Sequence, residues 1–463
     1  MIEQEVTKAI EWIFESYTRV PPAKRVGFDR DVRHPEWTRW LLDAVGRPDE
    51  SAYNVAVTGS KGKGAHAILL AAILQAAGLR VGLFTSPHLV DFLERLRVNG
   101  MAVSNEDFVR LAKGVRETTK EIPLPADQYL GPVGLVAVMA SIWFREQKTD
   151  VNVFELGRGA MYDDVNRVRH QGALVTPIFA EHLDKLGPEW SDVVREKLGV
   201  VTEDTTWTVS YEQDAVVERM MEEYFSTRHQ TWRLLGRDFT YEVVCGTGGV
   251  CSVQVTSAKG ETLRASMGVN LAPFAGNVAV ALTAAGQVLK SLDMGGQTLD
   301  VSLAHLAFPG RLQVISKRPT CLVDGTIHAV NARFVVDWLL RAKPSGKVTA
   351  VLSLPDDKDA LGVVETLAPH VDGMVFTTCS NPHLRYTRDL VALAKEHVQS
   401  VQWEPDVEVA VQRAQASAKP EDTILFLGTQ SFVGDVLRIF EVPTKSLWHA
   451  HQIAGREPHW FGN

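Results

Sequence analysis

The residues with the clearest chemistry in this chain lie in one short glycine-rich segment. It reads Thr58-Gly-Ser-Lys-Gly-Lys-Gly64 and contains three glycines and two lysines. An apolar run that ends at Val57 predicts a buried strand before it, and the apolar run 65–77 predicts a helix after it. Glycines let backbone N–H groups converge on an anion, while the helix N-terminus and Lys63 add positive charge. The pattern favours a phosphate-binding loop over a turn that merely joins strand to helix.

The loop departs from the standard phosphate-binding motif after its lysine. That motif continues with Ser or Thr, whose hydroxyl binds magnesium, and its spacing is longer. Here Gly64 and Ala65 follow Lys63, and a methyl group cannot bind a metal. Water, or less readily Ser60 or His66, would have to replace the missing hydroxyl.

Further polar residues follow the predicted strands. Since functional residues of parallel α/β sheets gather at the carboxyl ends of strands, six of them form one candidate constellation: Lys63, Ser86, His88, Glu155, His182 and Lys197. A carboxylate that ends a buried strand, as Glu155 does, is costly unless it is paired or bound to a cation. Glu155 and His182 offer ligands that suit magnesium beside phosphates. The alternative is that each is a solvated loop residue.

Alternating strands and helices must position these side chains. The apolar patterns predict helices at 2–18, 37–45, 133–147, 189–198 and 275–289, and strands at 55–57, 81–84, 151–154 and 173–178. A β-rich stretch near 230–266 predicts a hairpin insertion with its turn at 246–249. Repeated βα units predict a parallel sheet with right-handed crossovers.

The alternation restarts near Thr320, which predicts a second, smaller α/β domain. Its strands are expected at 321–324, 348–352, 374–376 and 423–427, with a helix at 331–342. We place the domains at 1–300 and 301–463. The tail from Trp448 is expected to be loose; its histidines are less plausible as metal ligands than as exposed residues.

The composition excludes several classes of protein. A net charge of −8 argues against general binding to nucleic acid or to anionic membranes. We find no signal peptide and no apolar run of membrane length, and expect a cytoplasmic monomer. The four scattered cysteines favour free thiols over disulfides or zinc, although Cys245 and Cys251 could face each other across a hairpin.

Taken together, these motifs resemble the folylpolyglutamate synthase and dihydrofolate synthase family of the Mur ligase superfamily. The resemblance spans nearly the whole chain. In order, the similar segments are the glycine-rich loop, Gly82-Leu-Phe-Thr-Ser-Pro-His-Leu89, Glu94-Arg-Leu-Arg-Val-Asn-Gly100, Phe154-Glu-Leu-Gly-Arg-Gly159 with Asp163 and Asn166, Glu181-His182, Leu186-Gly187, Arg195-Glu-Lys-Leu-Gly-Val200, Phe308-Pro-Gly-Arg-Leu312, Val323-Asp-Gly325, Asp357-Lys-Asp359 and Leu427-Gly-Thr-Gln-Ser-Phe-Val-Gly434.

The resemblance implies a P-loop-type parallel-sheet N-terminal domain and a smaller Rossmann-like α/β C-terminal domain. It also implies a reaction in which a carboxylate becomes an acyl phosphate at the expense of ATP, and an amino acid, glutamate in the family, then forms an amide. The small-molecule partners would thus be a carboxylate acid and an amino acid.

The resemblance assigns roles to individual residues. ATP phosphates would lie against the loop residues Gly59, Ser60, Lys61, Gly62, Lys63 and Gly64. Two Mg²⁺ sites are implied, with Glu155, His182 and a carbamylated Lys197 as ligands; the alternative for Lys197 is an ordinary surface lysine. Catalytic roles would fall to Lys63, His182, Lys197 and Arg311, which would reach a phosphate from the other domain. Asn277 and Asp324 would contact the nucleotide, and the substrate would meet Ser86, His88, Arg158 and His328.

The chain also departs from the family pattern. The family's adenine-side glutamine is absent from Pro273-Phe-Ala-Gly-Asn277, and His328 stands one place late. The folate region reads Asp127-Gln-Tyr-Leu-Gly-Pro132, without the family's threonine and acid. Three functions therefore stay open: a folate-type ligase, a paralogous ligase for another carboxylate or amino acid, and a degenerate ATP-binding protein without ligase activity.

Overall fold

The structure is a computed structural model that describes residues 1–246, 250–294, 299–303, 306, 308–387 and 389–448. The chain forms two compact units. Unit 1 contains Met1–His88, Phe92–Leu306 and Trp448, whereas unit 2 contains the short segment Leu89–Asp91 and the stretch from residue 307 to Leu447.

An eight-stranded sheet forms the centre of unit 1. Its strands are β1 (Tyr53–Thr58), β2 (Val81–Phe84), β3 (Leu96–Val98), β4 (Met101–Ala102), β5 (Val151–Glu155), β6 (Gly172–Val175), β7 (Trp207–Ser210) and β8 (Thr231–Leu234). They are ordered β4-β3-β2-β5-β1-β6-β7-β8, and all neighbouring pairs are parallel except β2–β3 and β3–β4. The predicted parallel sheet is confirmed. Because β1 lies inside the sheet with neighbours on both sides, its residues from Asn54 onward are buried.

Ten helices accompany this sheet in the described part of unit 1. They are α1 (Ile2–Arg19), α2 (Asp29–Val32), α3 (Glu36–Ala44), α4 (Lys63–Ala76), α5 (Asn105–Thr119), α6 (Pro132–Glu146), α7 (Leu183–Leu186), α8 (Trp190–Leu198), α9 (Ala215–Ser226) and α10 (Ala275–Ser291). The helices α4, α6 and α10 are apolar on most faces since they are core helices, and α4 packs against α10.

One helical stretch corrects an expectation from the sequence. Leu271–Ser291 is long and apolar enough to cross a membrane, although no run of that length was expected. Within an apolar window of 18 residues of this stretch, 67% is buried inside the protein, as in the core helix of a globular domain.

The β-rich stretch is larger than the expected hairpin. A separate sheet in the order β12-β11-β10-β9 contains β9 (Phe239–Cys245), β10 (Val250–Ser257), β11 (Thr262–Gly268) and β12 (Asp300–Ser302). Residues 231–234 belong instead to the edge of the large sheet as β8. The predicted turn at 246–249 lies mostly outside the described residues.

The cysteine prediction is wrong for one pair. Cys245 and Cys251 are directly opposite in the β9–β10 ladder and form a disulfide. Cys321 and Cys379 are free and buried, as expected. The open possibility that a hairpin would bring the first pair together was therefore the correct one.

Unit 2 has a six-stranded sheet in the order β13-β14-β18-β15-β16-β17. Its strands are β13 (Gln313–Lys317), β14 (Thr320–Asp324), β15 (Val348–Ser353), β16 (Gly373–Phe376), β17 (Ser400–Trp403) and β18 (Thr423–Gly428), and its helices are α11 (Ala329–Ala342), α12 (Ala360–Leu367), α13 (Asp389–Lys395), α14 (Val407–Ser417) and α15 (Gln430–Ile439). Only β13 is antiparallel to its neighbour. The arrangement is a doubly wound α/β fold, as predicted.

Trp448 does not belong to a loose tail. Its indole is 1% exposed and lies over Gly100, where a Cβ atom would come within 2.6 Å of the ring. A β-bridge also joins Trp448 to Leu306. The rest of the expected tail, 449–463, lies outside the described residues.

Candidate active site

The glycine-rich loop joins β1 to α4 with two glycines at positive φ. Gly59 has φ +131°, and a Cβ there would lie 2.7 Å and 2.9 Å from the backbone O and N of Thr176. Gly62, at φ +85°, precedes the first residue of α4. Because Gly59 has no side chain, the loop that follows β1 can pass close to Thr176, which follows β6. The α4 N-terminus thus begins at Lys63, at the carboxyl edge of the sheet.

Two lysine ammonium groups meet at this loop. Nζ of Lys63 donates to the carbonyl oxygen of Gly59 at 3.0 Å, and Nζ of Lys197 donates to the same oxygen at 2.9 Å. Lys197 also donates to the carbonyl of Arg158 at 2.6 Å and to the carboxylate of Glu181 at 3.0 Å. The glycine-rich loop and α8, which the sequence analysis grouped in one constellation through Lys63 and Lys197, therefore meet at one site.

Lys197 is not a surface lysine, because its side chain is 0% exposed. Its pKa is lowered to about 8, first by burial and then by the nearby charge of Lys63, while Glu181 opposes the change. A substantial neutral fraction near physiological pH makes this amine more nucleophilic than an ordinary lysine.

Glu155 ends β5 directly beside the first turn of α4. Its carboxylate accepts the backbone N–H of Ser86 at 3.0 Å, and a Cβ at Gly64 would lie 3.2 Å from Oε1. The glycine is therefore what allows the carboxylate to approach the helix N-terminus, where negative charge is stabilised.

His182 lies at the edge of the same region. It adopts φ +50° before α7, and its side chain is half exposed. Its Nε2 is 4.0 Å from Oε2 of Glu181. Burial lowers its pKa, Glu181 opposes this, and the positive charges of Lys197 and Arg158 lower it again. The neutral imidazole is the form that can bind a metal.

Of the two side chains considered as a substitute for the missing hydroxyl, Ser60 is engaged with backbone groups and His66 is buried, although its Nε2 has no hydrogen-bond partner among the described residues. Oγ of Ser60 accepts the N–H of Phe179 and donates to its carbonyl, both at 3.1 Å. The Nδ1 of His66 bonds to the carbonyl of Gly62 at 2.9 Å, and the ring is buried. Water therefore stays as the replacement that the sequence favoured.

His66 is instead part of the wall behind the loop. Burial lowers its pKa to about 4, so the ring is neutral. Tyr211 packs edge-on against it with ring centroids 5.8 Å apart, and the amide of Asn277 lies 3.9 Å from where a Gly62 Cβ would be. Asn277 thus lies near the loop, and its expected contact with a nucleotide stays a prediction.

Arg158 has a protein partner that the sequence did not reveal. Its Nε and Nη2 donate to the two carboxylate oxygens of Asp29 at 2.8 Å and 2.5 Å. Asp29 is buried and also lies 3.9 Å from Arg33, which contacts Asp163 at 3.2 Å. The guanidinium predicted to meet substrate is therefore occupied by a carboxylate 129 residues away.

Ser86 and His88 follow β2 at the same edge of the sheet. Ser86 approaches Glu155 through its backbone, while Nδ1 of His88 accepts from Nε of Arg95 at 3.2 Å. Burial lowers the pKa of Arg95 to about 10, although Glu155 opposes the shift. Arg95 is a positively charged site residue that the sequence analysis overlooked within its Glu94–Gly100 motif.

In unit 2 the predicted residues cluster around the end of β14. Asp324 accepts the N–H of Leu312 at 2.9 Å and the hydroxyl of Thr326. Arg311 donates to the carbonyl of Gly310 at 3.0 Å. His328 is half-buried and precedes α11. Their predicted phosphate, nucleotide and substrate contacts stay predictions.

The side chains near the glycine-rich loop suit Mg²⁺ better than they suit a metal ion whose ligands all come from protein side chains. No group of three or more His, Cys, Asp or Glu side chains in the described residues is arranged to hold an ion. Magnesium commonly uses one or two carboxylates and completes its shell with water and substrate phosphates. Glu155 at an anion-binding helix N-terminus fits that pattern, whereas Lys197 in its ammonium form does not ligate.

Comparisons with known proteins agree with this architecture. Residues 310–430 match the family model "Mur ligase, glutamate ligase domain". The chain is 26% identical over 399 residues to the dihydrofolate synthase/folylpolyglutamate synthase of Escherichia coli (strain K12), covering 83% of this chain and 86% of that protein.

Two solved structures have the same fold. The Mycobacterium tuberculosis folylpolyglutamate synthase complexed with ADP is 21% identical with a TM-score of 0.76, covering 96% of this chain and 100% of that one. The Yersinia pestis bifunctional folylpolyglutamate synthase/dihydrofolate synthase complexed with AMPPNP and Mn ion is 25% identical with a TM-score of 0.68, covering 88% and 93%. The chain is thus similar over most of its length to folylpolyglutamate synthase/dihydrofolate synthase proteins, and residues 310–430 match a Mur ligase domain.

Proposed function

We propose that this protein is an ATP-dependent ligase that joins a carboxylic acid to an amino acid through an acyl phosphate. The reaction that we propose adds glutamate to a folate-type acid, because relatives that are similar over most of the chain are named for that activity. The observation that carries the proposal is the pair of ammonium groups, Lys63 and Lys197, on the one Gly59 carbonyl at the N-terminus of α4.

These groups suit the charges that develop during the reaction. A substrate carboxylate oxygen attacks the γ-phosphorus of ATP, and ADP leaves; both reactants are anionic, so fixed positive charge lowers the barrier. The amino nitrogen then attacks the acyl carbon, phosphate leaves and one proton is lost. Lys63 and the α4 N–H groups would hold the ATP phosphates during the first step.

The metal requirement belongs to the same proposal. We propose Mg²⁺ beside Glu155 and His182, where it would supply charge neutralisation of the phosphates. Two ions, with the second bridged by a carbamylated Lys197, are the fuller form of this proposal. The lowered pKa of Lys197 supports it because only the neutral amine adds CO₂. We also propose that the protein acts as a monomer in the cytoplasm.

A paralogous ligase for a different acid is the second candidate. It is favoured by the contacts of the region that departs from the family. Gln128 accepts from the indole of Trp37 at 2.7 Å, and Gly131 is packed against the carboxylate of Asp164. Arg158 is likewise held by Asp29. These residues are thus engaged with other groups of the protein, and turnover measured with different acids will identify the acid that the protein uses.

The test is turnover by the full-length protein with ATP, Mg²⁺, L-glutamate and either dihydropteroate or tetrahydrofolate. We expect phosphate release that requires all components, with a product heavier by one glutamyl unit in mass spectrometry. Turnover with another acid alone would identify the paralogous ligase. If ATP binds but no acid and amine pair releases phosphate, the protein is the degenerate ATP-binding form and the proposal fails.

A further inference from the structure

Unit 1 contains a cavity that lies away from the glycine-rich loop. It has a volume of about 650 Å³, a size typical of small-molecule sites. The C-terminal half of α10, the edge strand β8 and the small sheet form its walls. Gln287 in this wall follows Asn277 by ten residues of one helix, which places the cavity roughly 15 Å from the loop.

The floor of the cavity is apolar. Phe239 and Val255 are each 2% exposed and Leu289 is 7% exposed, and all three line the cavity together with Leu263. Such a surface favours the apolar body of a ligand, because burying it removes hydrocarbon from water.

Arg233 is an unusual residue for the strand it occupies. Alternate residues of β8 point to opposite faces, and Trp232 stacks on Phe225 of α9 with centroids 5.1 Å apart. Arg233 therefore points to the other face, where it lines the cavity and is half-buried. Within the described residues its guanidinium has no hydrogen bond and no ion pair, although a partly buried charge normally has a partner.

The other polar groups of the cavity define what Arg233 can bind. Gln287 is half-buried and, among the described residues, its side-chain amide also has no hydrogen bond. The exposed lining residues Glu261, Asp293 and Lys290 carry two negative charges and one positive charge, so they add no net attraction for a doubly charged phosphate. The half-buried guanidinium of Arg233 instead matches a single carboxylate in a bidentate pair.

We propose that this cavity binds a small monocarboxylate with an apolar body, held by Arg233 and Gln287 over the floor of Phe239, Val255, Leu263 and Leu289. The site is separate from the proposed ligase site, and its occupancy does not depend on whether the ligase proposal is correct.

The test uses 4-phenylbutyrate as a probe and its uncharged amide as the matched ligand. Isothermal titration is done on the full-length protein with saturating Mg²⁺ and a non-hydrolysable ATP analogue. We expect the carboxylate to bind at least about tenfold more tightly than the amide, as a charge-assisted pair predicts.

Two variants locate the binding. Arg233→Met keeps side-chain volume and should weaken the carboxylate about tenfold or more. Gly286→Leu should abolish binding of both ligands, since Gly286 lines the cavity and a side chain there meets only the flexible end of Leu263 at 3.3 Å. Arg219→Met removes an exposed cation from α9 outside the cavity and should change nothing. An affinity that is unaltered in Arg233→Met and Gly286→Leu, or no binding by the wild type, would overturn the proposal. Thermal unfolding of each variant shows whether it has folded.

Discussion

Lys63 and Lys197 share one acceptor: both ammonium nitrogens donate to the carbonyl oxygen of Gly59, at 3.0 Å and 2.9 Å. Two like charges on one oxygen repel each other in a partly buried site, and this repulsion helps to lower the pKa of Lys197. An anion bound at the loop would relieve the repulsion. The pair is therefore arranged for a ligand with several negative charges.

Replacement of Lys63 by Met should remove turnover while the fold persists. We expect kcat to fall at least about a hundredfold, as when a charge-stabilising donor is lost. The pKa of Lys197 should rise, because the like charge of Lys63 no longer depresses it. Steady-state kinetics and NMR titration of ¹³Cε-labelled lysines check both results. Lys8→Met, at an exposed position of α1, is the control. Wild-type kcat in Lys63→Met would remove the phosphate assignment.

Replacement of Glu181 by Gln should lower the pKa of Lys197 below its value of about 8. The carboxylate of Glu181 raises that pKa, while burial and Lys63, which both remain, lower it. The ¹³Cε resonance of Lys197, assigned by its absence in Lys197→Met, reports the change. Asp184→Asn removes an exposed carboxylate nearby and should leave the titration unaltered. An unchanged pKa in Glu181→Gln would mean that the ion pair does not form in solution.

His66 should make the protein less stable in acid. Its pKa is about 4 in the folded state against an ordinary 6.5, so the unfolded chain binds more protons between these values. The free energy of unfolding should thus fall as the pH drops from 6.5 to 4, by on the order of 3 kcal/mol.

His66→Asn keeps a donor for the Gly62 carbonyl and cannot titrate, so its unfolding free energy should depend less on pH in this range. Urea unfolding at intervals of pH measures the difference. Replacement of the exposed His229 by Asn is the control and should preserve the wild-type slope. Equal slopes for wild type and His66→Asn would contradict the burial of a neutral ring.

Gly59 and Gly78 form a matched pair for testing the loop geometry. Both have positive φ, but a Cβ at Gly59 would meet the backbone of Thr176, whereas no neighbouring atom lies within 4 Å of a Cβ at Gly78. We expect Gly78→Ala to cost about 1 kcal/mol, from φ alone, and Gly59→Ala to cost at least about 3 kcal/mol. Equal losses in urea unfolding would show that β1 and β6 separate easily.

Ala65→Ser tests the missing hydroxyl. Since Ser60 and His66 are engaged with backbone groups, a serine at 65 would offer the oxygen that the standard motif supplies. We expect a lower Mg²⁺ concentration for half-maximal turnover, with Ala65→Val as the control of similar size. An identical Mg²⁺ dependence would mean that another ligand already fills the position.

The sequence predicts local structure well where apolar periodicity is strong. The strand at 81–84 is confirmed at its predicted bounds, the helix at 133–147 is shifted by one residue, and the helix at 189–198 begins one residue later than predicted. The glycine-rich loop follows from residue types alone, because positive φ and close backbone approach both require glycine.

Contacts between distant residues could not be predicted in this way. Lys197 lies 138 residues from the Gly59 carbonyl it contacts, and its motif did not indicate burial. Asp29 stands in a segment without apolar periodicity, so its pairing with Arg158 had no local signal. The strand β8 was assigned to the wrong sheet since a short β pattern does not specify its partner.

The position of Trp448 over Gly100 has a consequence for how unit 1 folds during translation. Unit 1 is almost entirely synthesised before unit 2, yet the indole that covers Gly100 emerges only after unit 2 is complete. During translation, the surface around Gly100 therefore stays exposed to water, or to a chaperone, until Trp448 has been synthesised.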